Sequence, residues 1–162
     1  MHRLTVAAIV LLGTQALAQD AGALVPALPP PPAAEVRRVL DYYYNGKDRG
    51  PVLVELKACL KVDGTRDSPT RFECLEEVKG PVKVNTPIHG WTMWLLPKGA
   101  NYDDVTLQFA HEGTVRSTID MKLDTEMRVR TWRSQILTKK GKWTISVVRA
   151  GAVLGTTTVT AE

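Results

Sequence analysis

Few residues in this sequence could do chemistry, and their spacing narrows what that chemistry would be. Cys59 and Cys74 are the only two cysteines. Their spacing is not C-x-x-C and no histidine lies near them, which favours a structural disulfide over a reactive thiol or metal pair. The loop it would close is about 15 residues, for which chain entropy gives roughly 3 kcal/mol. Apart from His2, the histidines are His89 and His111, and neither sits in H-E-x-x-H, G-x-S-x-G or another catalytic signature. Carboxylates adjoin only at Glu76-Glu77 and Asp103-Asp104. Neighbours on a strand point to opposite faces, so neither pair converges on one proton. Asn101, Asp103 and Asp104 offer oxygens to calcium but lack EF-hand spacing and read as a polar turn. No catalytic residue, metal site or cofactor is expected.

Binding chemistry is better represented. Arg128, Arg130, Arg133, Lys139, Lys140 and Lys142 fall within 15 residues, interleaved with Trp132 and Trp143. A basic, aromatic hairpin of this kind meets anionic polymer, lipid headgroups or nucleic acid. The plainer reading is a solvated edge hairpin whose lysines discourage strand-to-strand aggregation. Trp94 and Trp132 are candidate platforms for a glycan. The candidate ligand or partner surface is therefore Trp94, Arg128, Arg130, Trp132, Arg133, Lys139, Lys140 and Lys142. The Tyr42-Tyr43-Tyr44 trio reads as packing with wet hydroxyl tips more than as a stacking platform.

The elements that must carry these residues follow from the pattern. Met1-His2-Arg3 is a basic start, Leu4 to Leu12 an apolar run, and Ala16-Leu17-Ala18 a small-x-small triplet. These are the three parts of a secretory signal, expected at residues 1–18. The apolar run is about half the roughly 20 residues that a spanning helix needs. Export, to the periplasm or outside the cell, makes nucleic acid a poor partner, and no membrane span is expected. With 21 Lys+Arg against 17 Asp+Glu, the small positive balance is ordinary. Residues 19–32, with four prolines at Pro29–Pro32, read as an extended linker.

Residues 33–162 read as one domain. Over 33–45, Val36, Val39, Leu40 and Tyr43 fall at i, i+3, i+4 and i+7, which predicts a helix with one buried apolar face and Gly46 as a left-handed cap. From Val52 the period switches to two. Even positions from Val52 to Val62 are apolar, which puts Cys59 on the polar face. Alternating runs recur to Val159, divided by turn residues at Glu112-Gly113, Lys139-Lys140-Gly141-Lys142 and Ala150-Gly151. Eight or nine short strands at this spacing, with no helix between them, predict an all-β, antiparallel Ig-like sandwich preceded by one short N-terminal helix. Trp143 is expected at its centre, with Trp132 beside it.

Three segments near the C-terminus carry a resemblance: Arg130-Thr131-Trp132-Arg133-Ser134, Gly141-Lys142-Trp143-Thr144-Ile145-Ser146-Val147 and Gly151-Ala152-Val153-Leu154-Gly155. Their order resembles an uncharacterised family of Ig-like sandwich domains from the bacterial envelope, with R-T-W, G-x-W-x-V and G-x-x-L-G elements. It covers about Pro87 to Glu162, and Arg133 stands where a small or polar residue is usual. The resemblance implies the fold and an envelope setting and brings no catalytic residues. The reading that results is a non-catalytic binding or assembly module of the cell envelope, taking an envelope protein, anionic polymer or glycan. The alternatives are a small periplasmic enzyme with an unrecognised site and a purely structural accessory subunit.

Overall fold

The computed structural model describes residues 29–124 and 126–162. The signal at 1–18 and most of the linker at 19–32 lie outside the described residues. Pro32 to Glu162 form one compact unit.

Helix α1 spans Ala33–Asn45. The carbonyl of Pro32 accepts from the N–H groups of Glu35 and Val36 at one end, and the Gly46 N–H donates to Tyr42 O at the other. Gly46 is not left-handed (φ −91°). It is needed for close approach instead, because a Cβ there would stand 2.3 Å from Tyr42 O. The chain runs on into a 3₁₀ turn at Lys47–Arg49 and turns at Gly50, where φ is 77°.

Eight strands follow: β1 Val52–Val62, β2 Cys74–Glu77, β3 Pro87–Leu95, β4 Asn101–His111, β5 Thr114–Asp124, β6 Arg128–Ile136, β7 Gly141–Arg149 and β8 Ala152–Ala161. They form two antiparallel sheets, β2-β1-β3-β6 and β5-β4-β7-β8. The chain changes sheet after β3, after β5 and after β6. β3 therefore pairs with β6 and β4 with β7, the interleaving that locks an Ig-like sandwich. The tight hairpins sit where turn residues predicted them. Glu112-Gly113 joins β4 to β5 and Ala150-Gly151 joins β7 to β8, and all four residues have positive φ. Residues 78–86 hold one isolated parallel bridge, Val82 to Ala161.

The core between the sheets is supplied mainly by the second sheet: Val105, Leu107, Phe109, Met121, Leu123, Trp143, Ile145, Val147 and Val159 are buried. The first sheet adds Ala58, Ile88 and Trp94, and Leu96 follows just past the end of β3. Burying side chains of this size stabilises by roughly 1.5–3 kcal/mol each. Thr92 is the buried polar residue among them. Its hydroxyl donates to Thr131 O (3.1 Å) and accepts from the Trp94 indole N–H (2.8 Å), so no polar group there is left unmet. At Gly90 the second sheet packs directly on the backbone of the first, since a Cβ would stand 2.4 Å from Leu107 Cδ2.

The two-residue rhythm of β1 fails at its start. The pairing with β3 slips between Leu53 and Glu55, leaving Val54 as the extra residue of a bulge. Leu53 consequently turns inward in phase with Leu56, and Val52 and Val54 are left exposed. A slip of one residue exchanges the faces of every residue on one side of it.

Candidate functional site

The outer face of the first sheet brings together most of the residues with chemical potential. Register sets Cys59 beside His89 and Lys57 beside Trp91 on β1 and β3. Across the other side of β3, His89 lies beside Ser134, Trp91 beside Trp132 and Met93 beside Arg130. Residues 63–73 fold over this face. The Trp91 indole N–H donates to Phe72 O (2.6 Å), the Phe72 ring lies 5.7 Å from Trp132, and Arg130 pairs with Glu73 at 2.6 Å. Trp91 and Cys59 are thereby buried.

Two devices hold this loop down. Cys59 and Cys74 are joined in a disulfide, closing a loop of sequence separation 15. At the near end, Asp63 accepts from the Thr65 N–H (2.9 Å) and the Thr70 hydroxyl (2.7 Å). The hydroxyls of Ser68 and Thr70 and the Thr65 N–H hold its carboxyl well below the usual carboxylate range. Phe72 takes φ 67°, rare for a bulky residue, and is fixed by its N–H to Asp63 O at 2.7 Å. The alternation had put Cys59 on the polar face. It does lie on the outer face, but the loop buries it.

His89 Nδ1 hydrogen-bonds Ser134 Oγ. Burial pushes the pKa of His89 down, so the ring is neutral near pH 7. A hydroxyl beside a neutral imidazole is the first half of a nucleophile–base pair. Among the described residues no carboxylate hydrogen-bonds the ring to orient it. His111 is elsewhere, at the end of β4, where Nε2 meets Lys140 O at 2.8 Å and the ring lies 5.0 Å from Trp143. Asp104 is paired with Arg149, and Asp103, Glu76 and Glu77 are exposed. Among the described residues no three His, Cys, Asp or Glu side chains are grouped to hold a metal. No helix of theirs is long and apolar enough to cross a membrane.

The predicted ligand surface does not exist as one patch. β6 and β7 belong to different sheets, so the segment is a crossover, not a hairpin. β6 alone is about 26 Å long at roughly 3.3 Å per residue, which separates Arg128 from the lysines. Arg128 and Arg130 sit on the outer face of the first sheet, where Arg128 Nε approaches Met93 Sδ at 3.1 Å. Arg133 turns the other way. Its Nε donates to Asp120 O (2.8 Å), clamping edge strand β6 to edge strand β5 across the open side of the sandwich. Lys139, Lys140 and Lys142 are exposed around the crossover. Trp94 is fully buried in the core, so it offers no platform. Trp132 is half-buried on the outer face, with a whole sheet between it and the core that holds Trp143.

A different surface emerges at α1. None of its residues is buried, against the expected buried face. Val36, Val39 and Leu40 are exposed at 40, 40 and 46%, and Tyr44 at 61%. What attaches the helix is Tyr42, whose hydroxyl meets Gly50 O (2.7 Å) and Leu95 O (3.0 Å), together with the Lys98 N–H bonded to Tyr43 O. Beside it lies an open groove of about 580 Å³ lined by Val39, Tyr42, Val52 and Leu95, with Glu35 and Arg38 at its rim. The exposed Val52 and Val54 continue this apolar surface along β1. Beyond them, β8 brings exposed Val153 and Leu154 alongside, with Gly155 packed on Leu53. The i, i+3, i+4 spacing found the apolar face of α1. Its partner within the chain was assumed.

No family model and no curated protein matches the chain. Among solved structures it is similar to a Pseudomonas fluorescens alkylpurine DNA glycosylase bound to DNA containing an abasic-site analogue, with TM-score 0.45 and 9% identity. The match covers 69% of this chain and spans 30% of that protein's length. The structure matched is that of an enzyme, so the comparison does not uphold the expectation of a non-catalytic chain. A likeness this slight assigns neither an activity nor a ligand.

Proposed function

We propose that this protein is a binding or assembly module of the bacterial cell envelope, docking a partner protein on the apolar surface of α1 and the adjoining ends of β1 and β8. The observation that carries this is α1 itself. A helix of 13 residues is marginal in water on its own and draws its stability from packing. Here its apolar stripe has no cover among the described residues, and it adjoins an apolar groove. Contiguous exposed apolar surface of this kind marks an interaction site.

The envelope setting rests on three supports: the three-part signal at residues 1–18, the disulfide, which persists in oxidising compartments, and the resemblance of residues 87–162 to envelope Ig-like domains. A proline-rich segment ahead of the helix suits display at a distance from an attachment point. Intact mass of the secreted protein should begin at Gln19.

The docking reading is tested with a photo-crosslinking amino acid placed at Leu40 or Val52 in cells, with Val115, exposed on edge strand β5, as the comparison site. Crosslinked species should form from Leu40 and Val52 and not from Val115. Equal yields from all three, or none, would sink the reading.

A further inference from the structure

We infer that the occupant of this surface is a second copy of the same chain, with the two α1 helices packed antiparallel about a twofold axis; this rests on the docking reading above and names its partner. The helix is self-complementary. At 100° per residue, Val36, Leu40 and Tyr44 form one stripe, and Arg37 and Asp41 lie side by side along its polar flank. In an antiparallel pair centred on Leu40, Val36 of one copy faces Tyr44 of the other and Leu40 faces Leu40. At 1.5 Å per residue, Arg37 then lies within about 3 Å, along the axis, of the second copy's Asp41. Symmetry repeats the contact, so one helix supplies two opposite-charge pairs around an apolar centre. A parallel pair would carry the Arg37–Asp41 flanks of the two copies to opposite sides of the seam, where they could not pair with each other. Within its own chain Asp41 already accepts from Asn45 (3.0 Å) and pairs with exposed Arg49 (3.2 Å), which keeps the carboxylate ordered on that flank.

The size of the surface sets the strength. A helix of 13 residues is about 20 Å long. Alone it falls short of the roughly 800 Å² per partner of a standard interface. The exposed Val52 and Val54 add to it, and the association belongs in the micromolar range, about 1–100 μM.

Sedimentation equilibrium of the secreted, disulfide-bonded protein over a wide concentration range is the test. The wild type should shift from monomer to dimer, and Leu40→Asp should remain monomeric with an unchanged circular dichroism spectrum. Arg37→Asp and Asp41→Arg should each weaken association about three- to tenfold. The double variant, Arg37→Asp with Asp41→Arg, should recover most of it, because the pairs re-form with signs exchanged. A double variant no better than either single one overturns the antiparallel pairing. A wild type monomeric at every concentration overturns the second copy. If Leu40 then still crosslinks to another protein in cells, the docking reading survives; if it crosslinks to nothing, both fall.

Discussion

Gly90 packs directly against side chains of the opposite sheet, and adding one methyl there tests whether that contact is as tight as the geometry implies. A Cβ at Gly90 would stand 2.4 Å from Leu107 Cδ2 and 3.0 Å from Ile145 Cγ2. Ordinary carbon–carbon contact is about 3.5–4.0 Å, so the Leu107 methyl must retreat by about 1 Å. Leu107 and Ile145 are both fully buried, which leaves neither free space to move into. Overpacking of this kind costs about 1–3 kcal/mol. Gly90 is not among the glycines with positive φ, so alanine fits the backbone, and restricting the unfolded chain returns about 0.4–1 kcal/mol. Gly90→Ala should therefore destabilise by about 1–2 kcal/mol, lowering Tm by some 3–8 °C. Urea unfolding followed by tryptophan fluorescence reads this as a lower midpoint at unchanged slope. Leu107→Val removes the obstructing methyl. It should cost about 1 kcal/mol alone and little or nothing in the Gly90→Ala background, a coupling of about 0.5–1 kcal/mol or more. Strictly additive effects, or a stabilised Gly90→Ala, would refute the close approach.

Two further outcomes concern the loop over the first sheet. Replacing Cys59 and Cys74 together by serine should lower stability by about 3 kcal/mol and speed amide exchange first at residues 63–73. Unchanged stability would leave the loop's order to Asp63 and Trp91. The folded pKa of Asp63 is depressed below its unfolded value of about 3.9. Its contribution is thus complete above that value and drains away as pH falls through the lower folded one. Urea midpoints should therefore drop more steeply below about pH 4 for the wild type than for Asp63→Asn, and parallel curves would exclude Asp63 as the acid-sensitive anchor.

How legible this was in the chain depends on the range of the interaction. Helix bounds, strand rhythm and the positive-φ turns at Glu112-Gly113 and Ala150-Gly151 are local, and the pattern located them. The disulfide was legible because two cysteines allow only one pairing within the chain. The basic residues cluster in sequence and not in space, because β6 and β7 belong to different sheets. Lys139 to Lys142 looks like a hairpin turn, yet the chain there crosses between sheets. Trp94 and Trp132 are both candidate platforms by residue type, but alternation gives each only a face of its own strand, not which of the two faces is the core and which is roofed. The bulge at Val54 carries no sequence signal here and reverses the faces of the first residues of β1.

Composition and period were enough to determine an all-β sandwich behind a short helix, because every residue's preference for strand or helix is set within a few neighbours. Which strands pair, which outer face is covered by residues 63–73, that Arg133 closes an open edge, and that no described residue covers the apolar stripe of α1 were decided only by tertiary structure. These depend on which distant segment arrives at a given surface. A period of two names a face without naming what lies against it.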